Sequence, residues 1–115
     1  MILECFDYLT ITPKTDNMEA DIINLLNYND KQETTHHVLN VSRVNEQLAE
    51  KMGLDKHKCV ISGLLHDISA IIEPEDMLKY AIDNNFELCE AERRFPFLLH
   101  QRISRVIANE YFDII

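Results

Sequence analysis

The residues that could do chemistry in this sequence are a few histidines and one aspartate. The string "GLLHDIS", residues 63–69, sets His66 and Asp67 side by side in a run whose Leu64, Leu65 and Ile68 belong to a core. Upstream lie His36 and His37, and downstream lies His100, each beside apolar residues. Taken alone, a His-Asp pair is a weak motif and reads as a core histidine next to a surface or capping acid. His37, His66 and His100, recurring in that setting on three predicted helices, are harder to assign to packing. Neutral imidazole and carboxylate suit zinc, manganese, iron or nickel. With inward-pointing rings, His37, His66, His100 and Asp67 would make a candidate shell for a divalent ion. Neighbours on one helix diverge by about 100°, so His66 and Asp67 share an ion only if it lies between their directions. His36 points about 100° away from His37, toward solvent or the edge of the site. His57, in "DKHKC", has a polar setting and reads as surface.

Helices must position these groups. Residues 1–16 lack a helical pattern and read as an extended arm or short strand ending near Pro13. From Asn17 a capped helix carries Ile22, Ile23, Leu25 and Leu26. A second helix, about Glu33 to Met52, sets His37, Val41, Val44 and Leu48 on one face and stops at Gly53. Asp55 caps a third, expected to run to about Ser69. Pro74 opens a fourth, which frays at Asn84 and Asn85, and Pro96 starts a last one bearing His100. The sum is an all-α bundle of five or six helices spanning residues 17–115.

Composition narrows the partners. A chain of 115 residues holds one core, and 46% apolar residues with Gly 2 and Pro 3 suit long helices. A net charge of -9 argues against nucleic acid, although a few basic residues can still line a small site for a phosphorylated ligand. No apolar run approaches the roughly 18 residues of a membrane span, and the first residues do not form a secretory signal. Cys5, Cys59 and Cys89 form no CxxC pair and read as idle thiols in a reducing cytoplasm.

The stretch "HHVLNVSRVNEQLAEKMGLDKHKCVISGLLHDISA", followed by "FPFLLHQRISRVIA", resembles the HD-domain superfamily of metal-dependent phosphohydrolases, and within it the YqeK-type branch. A His opening the first core helix, an "LLHD" in the next and a "P-x-LLH" after a helical excursion occur in order. The resemblance implies an HD-domain helical bundle with His37, His66, Asp67 and His100 as metal ligands. Asp67 and His66 would be catalytic, with Asp67 bridging two ions or orienting the attacking water. It further implies one or two divalent ions, typically iron with manganese as an alternative. The implied enzyme is a cytoplasmic bacterial hydrolase that splits diadenosine tetraphosphate into two ADP. Arg102, Arg105 and Arg43 are the nearest candidates for substrate phosphates; a solvated helix face is their alternative reading.

The sequence also departs from that pattern. Ala70 stands where the family carries a Lys, Thr34 where it carries an Arg, and Gln101 where it carries a Gly. A further His and a final Asp of the pattern do not fall within these residues, so four ligands are expected here. The alternative is a degenerate, non-catalytic HD module that binds metal, nucleotide or a protein partner. The apolar end, Tyr111, Phe112, Ile114 and Ile115, is expected to lie uncovered, and self-association into a homo-oligomer is the expected remedy.

Overall fold

The computed structural model describes residues 1–114, and among them it forms six α-helices and no strand. Asn17 caps α1 (Met18–Tyr28) by accepting the Ala20 N–H at 3.1 Å, while Glu19 and Asp21 sit in the electropositive first turn. Ile22, Leu25 and Leu26 of this helix are fully buried. The second helix, α2 (Gln32–Met52), ends on Gly53 in the left-handed region at φ 68°, where a side chain would be strained.

The buried face of α2 differs from the one its apolar pattern suggests. Thr35, Val38, Ser42 and Ala49 are buried, whereas Val44 and Leu48 are about half exposed. Close approach decides between the two faces. A Cβ added to Gly63 of α3 (Lys56–Leu65) would meet the Ser42 Cα at 2.9 Å, so these helices pack backbone to backbone. That approach needs small residues on the α2 side, and the Ser42 and Ala49 stripe supplies them. Asn45 Nδ2 adds a hydrogen bond to the Cys59 carbonyl at 3.1 Å.

α3 stops at Leu65, four residues before its expected end. His66 is its last αR residue, Asp67 turns out of the helix at φ -118°, ψ 22°, and a 3-10 turn (Ile68–Ile71) follows. α4 (Pro74–Asp83) starts at Pro74 with Glu75 and Asp76 in its first turn. A short helix, α5 (Glu90–Arg94), has no counterpart in the sequence pattern. It is closed at its start by the Cys89 N–H, which donates to Glu92 Oε1 at 3.0 Å. Pro96 opens a 3-10 turn (Pro96–Leu99) rather than the last helix itself, so His100 is the first residue of α6 (His100–Phe112).

The N-terminal segment is part of the core, with Ile2 and Leu3 of a 3-10 turn (Ile2–Cys5) each about 1% exposed. Further along, Thr10 exchanges hydrogen bonds with the Asn29 side chain, and the Thr15 N–H and hydroxyl both donate to the buried Asp21 carboxylate. Tyr8 donates to Asp76 at 2.8 Å, and burial pushes its phenol up to about 12. This segment corrects the expectation of an uncovered apolar end. Tyr111 and Phe112 are buried, the Tyr111 hydroxyl donates to the Thr12 carbonyl, and Lys14 lies 5.4 Å over the Tyr111 ring. Ile114 is half-buried; Ile115 lies outside the described residues. No described helix is long and apolar enough to cross a membrane.

α5 gives the chain a pH-sensitive fastening. The Cys89 N–H, and then the Arg102 guanidinium at 3.0 Å, hold the Glu92 carboxyl below its usual range. A depressed carboxylate contributes stability that is present above the ordinary Glu pKa of about 4.3 and is lost as pH falls through the lower folded value. Glu92→Gln should therefore flatten the loss of thermal stability on acidification below that range, and should leave the profile near neutrality parallel to wild type.

Candidate metal centre

The break at the end of α3 makes the site. Had the helix continued, His66 and Asp67 would diverge; instead the turn-out at Asp67 folds its carboxylate back against the imidazole. His66 Nε2 lies 3.1 Å from Asp67 Oδ2, and His37 Nε2, reaching across from α2, lies 3.4 Å from the same oxygen and 3.2 Å from His66 Nε2. Three donor atoms thus form a nearly equilateral triangle. Ligands bound about 2.1 Å from one ion stand about 3.0 to 3.4 Å apart in octahedral or tetrahedral arrangements. The donor set therefore fits a divalent transition metal in both chemistry and spacing.

The tautomer of His66 also suits a ligand. Its Nδ1 lies 2.6 Å from the Gly63 carbonyl, an acceptor with no hydrogen of its own, so Nδ1 carries the proton and Nε2 keeps its lone pair for the triangle. Gly63 thus has two tasks: it lets α2 approach, which brings in His37, and its carbonyl orients His66.

His100 stands apart from the triangle but faces the same region. It shares a small cavity of about 180 Å³ with Asp67, Thr34, Ser69, Ala70 and Phe97. The same device orients its ring: Nδ1 donates to the Phe97 carbonyl at 2.8 Å, so in the neutral imidazole Nε2 is the acceptor. Its ring stacks on Phe97 with centroids 4.6 Å apart and planes 10° apart. A buried hydrogen bond from the Ser69 N–H to Ser104 Oγ, 3.0 Å, ties the turn after Asp67 to α6 and so to His100.

The setting is more open than the inward-pointing rings imagined from sequence. The side chains of His37, His66 and Asp67 are 55%, 38% and 29% exposed. His36 is exposed and lies outside the triangle. The three arginines part ways. Arg102 donates to Glu92 and to the Glu87 carbonyl and lies 4.9 Å over the Phe86 ring, so its charge is already matched. Arg43, six residues after His37, points about 120° around α2 from it and lines neither described cavity. Arg105 does line a cleft of about 780 Å³ between α3 and α6, together with His66 and His100.

That cleft brings in Lys58, which the sequence did not single out, and His57, which it read as surface. His57 and Lys58, in the first turn of α3, lie on its wall. The signal was there in the spacing: Lys58, Ile61, Ser62 and Leu65 recur at intervals of three and four, one stripe of α3 that runs toward His66.

Comparison with known proteins agrees with the all-helical fold. A family model described as "HD domain" matches residues 34–115. A Lactococcus lactis subsp. cremoris protein, described as an uncharacterized protein in the pepC 5' region, is 33% identical over 61 residues. The match covers 53% of this chain and 31% of that relative, so it spans about a third of the relative's length. No solved structure matches the chain.

Proposed function

Because this chain belongs to the HD domain family, a superfamily of metal-dependent phosphohydrolases, we propose that it hydrolyses a phosphoanhydride bond in a nucleotide. Our reading of the substrate is a dinucleoside polyphosphate, with diadenosine tetraphosphate cleaved to two ADP, as the YqeK-like sequence features suggest. The observation that carries the reading is the triangle of His37 Nε2, His66 Nε2 and Asp67 Oδ2 at 3.1 to 3.4 Å, set beside a cleft with basic walls. We assign the metal as iron, with manganese as the alternative, and the compartment as the reducing cytoplasm, in keeping with three free cysteines.

His37, His66 and Asp67 would hold the ion, with His100 approaching from the far side of the small cavity. A divalent ion supplies Lewis acidity toward water and toward a phosphoryl oxygen. The protein groups do the rest. The Gly63 and Phe97 carbonyls orient the His66 and His100 rings, and the His66 Nε2 is the one set among the triangle's donor atoms. Asp67 is the nearest carboxylate to accept a proton from an attacking water. Arg105 balances charge on the substrate. In the overall reaction water adds at phosphorus, the bridging P–O bond breaks, and both products leave as ADP.

A second reading, a non-catalytic HD module, draws support from the small cavity next to Asp67. Thr34 and Ala70 line it, at the two positions where the family pattern carries a cation. Incubation of the full chain with diadenosine tetraphosphate and iron or manganese separates the two readings. ADP as the sole product is the expected result. AMP with ATP would contradict symmetrical cleavage, and metal uptake without turnover would favour the binding module.

A further inference from the structure

The α3–α6 cleft carries a charge pattern that the metal triangle does not use. His57, Lys58 and Arg105 line it together with His66 and His100. Its one carboxylate, Asp113, is 3.6 Å from Lys14 and so already has a cation of its own. Among the described residues neither Lys58 nor Arg105 pairs with a carboxylate; Lys31, Arg43, Lys51, Lys79 and Arg93 are also without one, but none of these lines either cavity, whereas Lys14, Lys56, Arg94 and Arg102 are paired. In a chain of net charge -9 such a concentration of unmatched cations at one cavity is uneven. The floor between them is apolar, with Met18, Ile61, Leu65 and Ala108.

We propose that Lys58 and Arg105 form an anion subsite, distinct from the metal triangle, that grips phosphoryl groups remote from the one being cleaved. This rests on the hydrolase reading for what happens at the metal but not for the binding itself. Helix geometry sets the spacing. Lys58 lies eight residues before His66 along α3, about 12 Å, and Arg105 lies five residues after His100 along α6, about 8 Å. These are rises along the helix axes, with the long Lys58 and Arg105 side chains free to extend into the cleft, and a linear chain of several linked phosphoryl groups is the ligand that would meet the triangle and both cations at once. The subsite also places cations in a different cavity from Thr34 and Ala70, where the family pattern would have put them.

The test is calorimetric binding of inorganic tripolyphosphate and of orthophosphate to the full chain and to three variants, Lys58→Gln, Arg105→Gln and Asp67→Ala, with circular dichroism as the folding control. Tripolyphosphate should bind wild type at least about tenfold more tightly than orthophosphate. Each cation removal should weaken tripolyphosphate by about tenfold, the scale of one lost charged hydrogen bond, while metal uptake persists. Asp67→Ala should lose metal uptake but keep tripolyphosphate binding in metal-free buffer. Equal affinity for the two anions, or wild-type binding of tripolyphosphate by Lys58→Gln and Arg105→Gln, would overturn the subsite. Retained metal uptake by Asp67→Ala would instead count against the metal centre and leave the subsite standing.

Discussion

Asp67→Ala should lower phosphoanhydride hydrolysis by about 10³-fold or more, with the helical fold intact. The two halves of that expectation come from different observations. Asp67 Oδ2 is the shared vertex of the triangle, within 3.1 Å of His66 Nε2 and 3.4 Å of His37 Nε2, so its loss removes the only anionic donor. Yet the side chain caps no helix: Asp67 precedes the 3-10 turn without a side-chain cap bond, and its backbone carbonyl still accepts from Ala70. Asp67→Asn keeps the shape and one oxygen but gives up the charge. It should bind metal about 10- to 100-fold more weakly and fall between the two extremes. Steady-state rates, with circular dichroism on the same samples, check both variants.

Gly63→Ala is the second large effect, and it joins stability to chemistry. A new Cβ would stand 2.9 Å from Ser42 Cα and 3.0 Å from Ser42 N, both backbone atoms that cannot swing aside. Overpacking of that kind costs about 1–3 kcal/mol, or on the order of 5 to 15 °C in melting temperature for a domain of this size. Because α2 must retreat to make room, His37 moves away from His66, and metal affinity should drop by about tenfold or more along with Tm. Gly53→Ala is the contrast. Its φ of 68° strains a side chain by about 1 kcal/mol, but nothing lies within 4 Å of the added Cβ, so metal affinity should not change. Thermal melts and a metal titration on both variants read the difference.

The fold class was legible from the sequence because helix ends are written locally. Asn17 and Asp55 act through side-chain oxygens that accept nearby N–H groups, Gly53 and Pro74 through their own backbone geometry, and each marks a helix end in the structure. What local pattern could not reveal was which side of α2 packs. Val44 and Leu48 are more apolar than Ser42 and Ala49, but the α2–α3 distance is set by Gly63, and that pairing is a tertiary fact. The same limit explains the end of α3. Leu64, Leu65 and Ile68 continue a helical period, so nothing in the spacing announces the turn at Asp67 that closes the triangle. Likewise Tyr111 and Phe112 seem uncovered only until the N-terminal segment, nearly the whole chain away, lies over them.

The candidate site followed a similar division. His37, His66 and Asp67 could be named from residue type and order, and the structure sets their donor atoms within 4.8 Å of one another. The arginines could not be sorted the same way. Arg102 and Arg105 sit three residues apart on one helix, yet one is engaged by Glu92 and Phe86 while the other faces the cleft. Lys58 carries no motif of its own, and its cleft partner Arg105 lies on another helix far along the chain.

The most direct test of the central claim is elemental analysis of the purified full chain beside His66→Ala and Asp67→Ala. About one equivalent of iron or manganese is expected in the wild-type protein or after reconstitution, lost from both variants while their helical content is unchanged. A folded wild-type protein that neither retains nor takes up a divalent metal would contradict it, as would metal bound equally well by all three proteins.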